Sequence, residues 1–263
     1  MNLEHLSALR QHELDTVLKQ LHRHGMNSGR LLEIGAGTGQ QALTLAAKGY
    51  HVSAIDLPQS RYAPDRVWPV INYDGQTLPF ADNSFDIVYS SNVLEHIADT
   101  DRMQHEISRV LTPEGLAIHV LPSPAWRVLT MLMHYPWLAT TLVRLVKRKL
   151  KPQGQNNISP ESSLLPDMAG RSDLWRRIPY ANRHGEHGNA LTEAYHFRRT
   201  RWRNDFERNN FRVVEILPSG LIYSGYALLG GRLPIATRAQ LASLCGSACN
   251  IFILQSTGVT SAG

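Results

Sequence analysis

Two acids and a cluster of glycines carry the first chemistry this chain can be expected to do. Glu33 closes the apolar run Leu31-Leu32 and stands two residues before the turn Gly35-Ala36-Gly37-Thr38-Gly39, and Asp56 closes a second run, Val52-Ser53-Ala54-Ile55. Glycine lets backbone take φ > 0 and lets a ligand approach without a Cβ in the way, so three glycines in alternating positions offer a surface for an adenosine group. An acid about 20 residues after such glycines is the usual acceptor for ribose hydroxyls. A dinucleotide fingerprint would need glycine at position 40 for close helix–strand packing, and the chain has Gln40 there. A pyrophosphate ligand is therefore disfavoured. The Glu33 carboxylate repels phosphate and favours positive charge, so the pattern reads as a site for a cationic, phosphate-free adenosine ligand. The plainer alternative is a tight turn with a solvated acid.

A second group of reactive residues lies in Arg183-His184-Gly185-Glu186-His187-Gly188-Asn189-Ala190. Imidazole takes up a proton near neutral pH, and glycine lets a loop approach a ligand, so His187, with His184 as second choice, is expected as the base for an acceptor hydroxyl. The alternative is a structural loop capped by Asn189. Two histidines alone supply too few ligands for a metal, and none is expected.

The elements that must position these residues follow from periodicity. Apolar segments at 30–35, 51–56, 85–90 and 115–121 alternate with helical stretches, the pattern of an α/β fold with a parallel sheet covered on both faces. The segment 192–206 reads as helical, 211–217 and 250–255 as strands, and Gly220–Gly231 as an apolar, glycine-rich stretch that walls the acceptor pocket, touches a membrane or simply packs in the core. With 263 residues, 43% of them hydrophobic, a single domain over 1–263 is expected. Its parts are a cofactor-binding core (28–121), a basic insertion (122–190) covering the acceptor site, and a closing helix with the last two strands (191–263). The polar start Met1–Leu6 resembles no signal peptide and reads as a helix lying across the sheet. Cys245 and Cys249 are too few for a disulfide scaffold, so reduced thiols and a cytoplasmic location are expected.

Charge is concentrated in one segment. Residues 122–213 hold 16 Lys and Arg against 7 Asp and Glu, leaving a net −4 for the rest of a chain whose total is +5. A helix expected to start at Pro136 would line Leu138, Leu142, Leu145 and Val146 on one face and gather Arg144, Lys147, Arg148 and Lys151 on the other. Such a helix is either a lid on the protein's own core or a peripheral contact with the inner face of an anionic membrane, with Trp126, Tyr135 and Trp137 at headgroup level. No apolar run approaches the ~18 residues needed to span a bilayer. No nucleic-acid-binding motif accompanies the charge, so no nucleic-acid partner is expected.

The chain resembles the class I S-adenosylmethionine-dependent methyltransferases. The resemblance is carried by the glycine turn, by Leu78–Ile97, similar to that superfamily's fourth strand and following helix, and by Leu111–Val120, similar to its turn and fifth strand. It implies a Rossmann-like sheet of seven mostly parallel strands, the last antiparallel between the fifth and sixth, with a helical and loop insertion after the fifth. It implies S-adenosyl-L-methionine as cofactor and a small-molecule or glycan- or lipid-linked acceptor. It further implies that Glu33, Gly35 and Gly37 flank the methionine part, that Asp56 takes the ribose hydroxyls, and that Ala36 and Gly39 belong to the same cofactor-binding turn. By the same resemblance Leu57 packs on adenine, Asp74 and Gly75 meet its edge, and Asn92 opens onto the methyl group. In ubiquinone-biosynthesis relatives an acid and a Glu-His pair hold a divalent metal; Glu95-His96 repeats the pair while Asn92 replaces the acid, so Glu95-His96 is read as structural. A non-catalytic cofactor-binding sensor and, more distantly, an NAD-linked oxidoreductase are the alternatives.

Overall fold

The computed structural model describes residues 3–150, 181, 183–189, 192–226 and 233–257. Residues 151–180, 182 and 190 of the basic insertion expected over 122–190 lie outside these, as do residues 227–231 of the glycine-rich segment and the basic side chains Arg144, Lys147, Arg148 and Lys151. Seven strands form one sheet: β1 (Gly29–Ile34), β2 (Tyr50–Asp56), β3 (Val70–Asn72), β4 (Phe85–Ser91), β5 (Leu111–Pro122), β6 (Phe211–Pro218) and β7 (Cys249–Ser256). Their order is β3-β2-β1-β4-β5-β7-β6. The first five run parallel, and β7 lies antiparallel between β5 and β6, as the resemblance implies.

Strand residues alternate in facing, so the neighbours Leu31 and Leu32, both fully buried, enter different cores. Leu31 packs with Ile87, Ile118, Ile251 and Leu45 of helix α2 (Gln40–Ala47) beside helix α1 (Leu3–Arg23). Leu32 packs with Val88, Phe252 and the residues Met103 and Ile107 of α3 (Thr100–Val110). Burial on both faces explains the nearly continuous apolar runs that mark β1, β4 and β5 in the sequence. The Asp99 carboxylate starts α3 by accepting a hydrogen bond from the Arg102 backbone N–H at 3.0 Å. Strand order reverses between β1 and β4, and open α/β sheets form their ligand crevice outside the carboxyl ends at such a point.

Two expectations about the basic segment are corrected. Helix α4 runs from Pro124 to Leu150 and passes through Pro136 rather than starting there. Proline removes one backbone donor, but the preceding turns already define the helix, and Pro136 is exposed. Trp126 is buried, its ring 4.6 Å from that of His184 and 6.2 Å from Phe197, so it is a core residue rather than a headgroup anchor. Among the described residues of α4, Val128, Leu132, Tyr135, Leu142 and Val143 are exposed large apolar side chains. Among the described residues no helix is long and apolar enough to cross a membrane. The helical stretch expected over 192–206 divides into α5 (Glu193–His196) and α6 (Arg199–Arg208), and α7 (Ile235–Cys245) precedes β7.

Candidate active site

The glycine turn is left-handed at Gly35 (φ 71°), Gly37 (φ 58°) and Gly39 (φ 76°). At Gly35 a Cβ would stand 2.4 Å from Val93 Cγ2, and at Gly39 one would stand 2.5 Å from Trp68 Cβ. Only glycine fits either position without rearrangement. From the end of β2, Asp56 reaches back to the turn: its Oδ2 accepts from the Gly37 N–H at 3.0 Å and its Oδ1 from the Leu57 N–H at 2.8 Å. This holds the carboxylate at the rim of the crevice.

Glu33 is only 3% exposed, and one of its carboxylate oxygens has no hydrogen-bond partner. Burial drives its pKa up to about 8; a hydrogen bond from the Ala42 backbone opposes the shift, and the charge of Asp56 adds to it. Asp74 is engaged differently. Its Oδ1 accepts from the Thr77 and Gln76 N–H groups at 2.8 Å each, and these bonds, Thr77 first, hold its pKa below the usual carboxylate range. The exposed Asp74 thus closes the turn that carries left-handed Gly75 (φ 79°).

One cavity of about 1330 Å³ joins the two halves of the site. Gly35, Ala36, Gly37, Asp56, Leu57 and Gly75 line one end, and Asn92, in the left-handed region at φ 56°, lines the same cavity. Trp126, Leu129, Met133 and Tyr226 supply an apolar and aromatic wall at the other. Glu33, Gly39 and Asp74 are not among the residues that line it. Drug-sized ligands occupy cavities of about 300–1,000 Å³, so this one has room for a nucleoside ligand and a second molecule beside it.

The histidine expectations separate. His184 lines the cavity; His187 does not, and its ring lies 6.2 Å from that of His196. The cause is a buried clamp. Glu193 Oε1 accepts from the backbone N–H groups of His184 at 2.5 Å and Gly185 at 2.8 Å, while Glu193 Oε2 pairs with Arg127 Nε at 3.0 Å. Both paired side chains are essentially inaccessible. The clamp presses the loop onto the short turn Leu94–His96, where the Glu186 N–H donates to the Glu95 carbonyl at 2.8 Å. His184 is thereby set against Glu95 and His96, with the two imidazole rings 4.7 Å apart. Downstream, the Asn189 side chain accepts from the Thr192 N–H at 3.0 Å just before α5.

Sequence reasoning did not single out Arg127, Glu193 or the amino-terminal Arg10. Arg10 lines the cavity and donates to Tyr223 Oη at 3.0 Å and Glu13 Oε2 at 2.6 Å. A buried Arg and a buried Glu on helices 66 residues apart leave no local pattern, although each is unusual enough once burial is known.

The fold and the cleft resemble those of the class I S-adenosylmethionine-dependent methyltransferase superfamily. Residues 32–119 match the family described as a methyltransferase domain. The chain is 30% identical over 119 residues to the malonyl-[acyl-carrier protein] O-methyltransferase of Geobacter sulfurreducens, covering 42% of this chain and 45% of that protein. It is 37% identical over 93 residues to the demethylmenaquinone methyltransferase of Clavibacter sepedonicus, covering 33% and 38%. The chain thus spans less than half the length of these curated relatives. Among solved structures, the 1,6-didemethyltoxoflavin-N1-methyltransferase of Burkholderia thailandensis, bound to 1,6-didemethyltoxoflavin and S-adenosylhomocysteine, superposes with a TM-score of 0.51 at 12% identity, covering 94% of this chain and 79% of that one. The cofactor of this superfamily is S-adenosylmethionine.

Proposed function

We propose that the chain transfers the methyl group of S-adenosylmethionine to a hydroxyl of a small-molecule or glycan- or lipid-linked acceptor by direct displacement. The observation that carries the reading is the single cavity of about 1330 Å³, cofactor rim at one end and aromatic wall at the other, with Asn92 lining it. The acceptor oxygen forms a bond to the methyl carbon as the carbon–sulfur bond breaks; sulfur keeps the electron pair, and the hydroxyl proton is released. Sulfonium is already a good leaving group, so the protein's work is to align the two molecules and exclude water. Glu33 and Asp56 suit a ligand with an ammonium, a sulfonium and ribose hydroxyls. Two relatives, an O-methyltransferase on malonyl-acyl carrier protein and a methyltransferase on demethylmenaquinone, support an acceptor with an apolar or carrier-linked body.

The test is transfer of a labelled methyl group from S-adenosylmethionine into extracts of cells lacking the protein. A labelled product that appears with the wild type and disappears with Asp56→Ala supports the reading. Calorimetric binding of S-adenosylmethionine without any labelled product would favour a sensor, and binding of NAD in its place would favour an oxidoreductase.

A further inference from the structure

We propose that Glu95, His96 and His184 form a site for a divalent metal ion of the zinc, iron(II) or cobalt(II) type, with its open coordination position turned to the acceptor end of the cavity. The Glu95 side chain is 1% exposed, and neither carboxylate oxygen has a hydrogen-bond partner. A buried carboxylate without partners is costly unless a cation meets it. The nearest groups are His184 Nε2, 3.6 Å from Oε1, and His96 Nε2, 3.8 Å from the same oxygen. Both separations exceed the roughly 2.7–3.2 Å of a hydrogen bond. They fit ligands around one ion: bonds of about 2.0–2.2 Å at tetrahedral angles place neighbouring donor atoms about 3.4 Å apart. All three donor atoms lie within 4.8 Å of one another.

The third ligand is built in rather than accidental. His184 arrives from a loop 88 residues downstream of His96 in the chain, and the Arg127–Glu193 pair fixes its backbone. Gly185 permits the approach, since a Cβ there would stand 2.8 Å from the Glu95 carbonyl oxygen. The Trp126 ring supports the imidazole from the other side. One carboxylate and two imidazoles leave at least one position open, the arrangement of catalytic rather than structural sites. His96 and His184 both line the cavity, so that position faces the acceptor.

The ion's part in turnover rests on the methyl-transfer reading; the binding site does not. As a Lewis acid it would hold the acceptor oxygen and lower the pKa of its hydroxyl. The hydroxyl proton passes to water, the oxygen attacks the methyl carbon, and the carbon–sulfur bond breaks with its pair left on sulfur. No oxidant or reductant enters.

The experiment uses the full chain with any affinity tag removed, stripped with chelator and titrated with Co²⁺. Stoichiometric uptake with the visible absorption of low-coordinate cobalt is expected for the wild type and for His105→Gln, a change at an exposed histidine of α3. His184→Gln and Glu95→Gln are each expected to weaken uptake by about 100-fold or more, beyond the ~10–100-fold typical of changes to groups that only support a ligand. His184 is part-exposed, so its variant remains interpretable where Glu95→Gln fails to fold. Wild-type uptake no tighter than that of His184→Gln would overturn the site. S-adenosylmethionine binding, followed by calorimetry on the same samples, keeps the two claims apart. Cobalt uptake with no cofactor binding defeats the methyl-transfer reading and leaves the site standing; the reverse defeats only the site.

Discussion

Replacing Glu33 with glutamine tests whether the cleft is built for positive charge. Its carboxyl is displaced by burial from 4.5 to about 8, which at about 1.4 kcal/mol per pH unit disfavours the charged form in the free protein by roughly 5 kcal/mol. At pH 7 the group is therefore about nine-tenths protonated. A ligand carrying an ammonium and a sulfonium favours the carboxylate, so binding drives the proton off. Calorimetry at pH 7 in buffers of different ionisation enthalpy should register release of nearly one proton per ligand. Affinity should rise about tenfold between pH 6 and 7, a window in which the ligand's own amine stays charged. Stability has the opposite dependence. A carboxyl with a raised pKa contributes stability that is complete below about pH 4.5 and is lost as pH rises through about 8, so thermal stability should fall across that range. Glu33→Gln stays neutral throughout and should remove both the proton release and this loss. Wild-type binding with no proton release, or with the same pH dependence as Glu33→Gln, would refute the argument.

Two further substitutions read the packing of the site. Gly35→Ala forces a left-handed alanine and a contact of 2.4 Å with Val93, whereas the added carbon of Gly37→Ala meets Tyr62 at an ordinary 3.4 Å. Gly37→Ala should lose about 1–2 kcal/mol, and Gly35→Ala about 1–3 kcal/mol more from overpacking. Equal losses in denaturant unfolding would count against the close approach. Glu193→Gln removes the charge facing buried Arg127 and should destabilise by about 3–5 kcal/mol, while Arg127→Met combined with Glu193→Gln should recover most of that loss. A double variant as unstable as the single one would show that the pair is not what holds the loop.

The parts of this molecule that were legible in its sequence are those fixed by short-range chemistry. β1, β2 and β4 are marked by apolar runs, and the turn after β1 by glycines whose left-handed angles no other residue adopts easily. Asp56 could be placed because strand, turn, helix and strand fix its distance from Gly37. Pro136 misled for a physical reason: proline is favoured at helix starts, but an upstream stretch with good formers carries the helix through it. Trp126 misled because an aromatic residue near basic ones suits a membrane surface and a buried core equally, and only the position of His184 and Phe197 decides. The choice between His184 and His187 turned on Glu193, whose carboxylate caps backbone N–H groups rather than meeting a neighbour in sequence.

The same contrast separates the two ends of the cavity. The cofactor end is made by backbone and by side chains one strand apart, so a local pattern suffices to encode it. The proposed acceptor end is assembled from a turn after β4, the first helical turns of α4 and a loop near residue 184, held together by the buried Arg–Glu pair and by the Glu186 hydrogen bond to the Glu95 carbonyl. The proposed metal site follows the same rule: Glu95 and His96 are neighbours in sequence, and the fold brings His184 to them from far along the chain. A site encoded in this way can change its acceptor by altering one loop while β1, β2 and the cofactor rim stay untouched. Loop substitutions near His184 should therefore move acceptor use and metal affinity together, and leave S-adenosylmethionine affinity where it was.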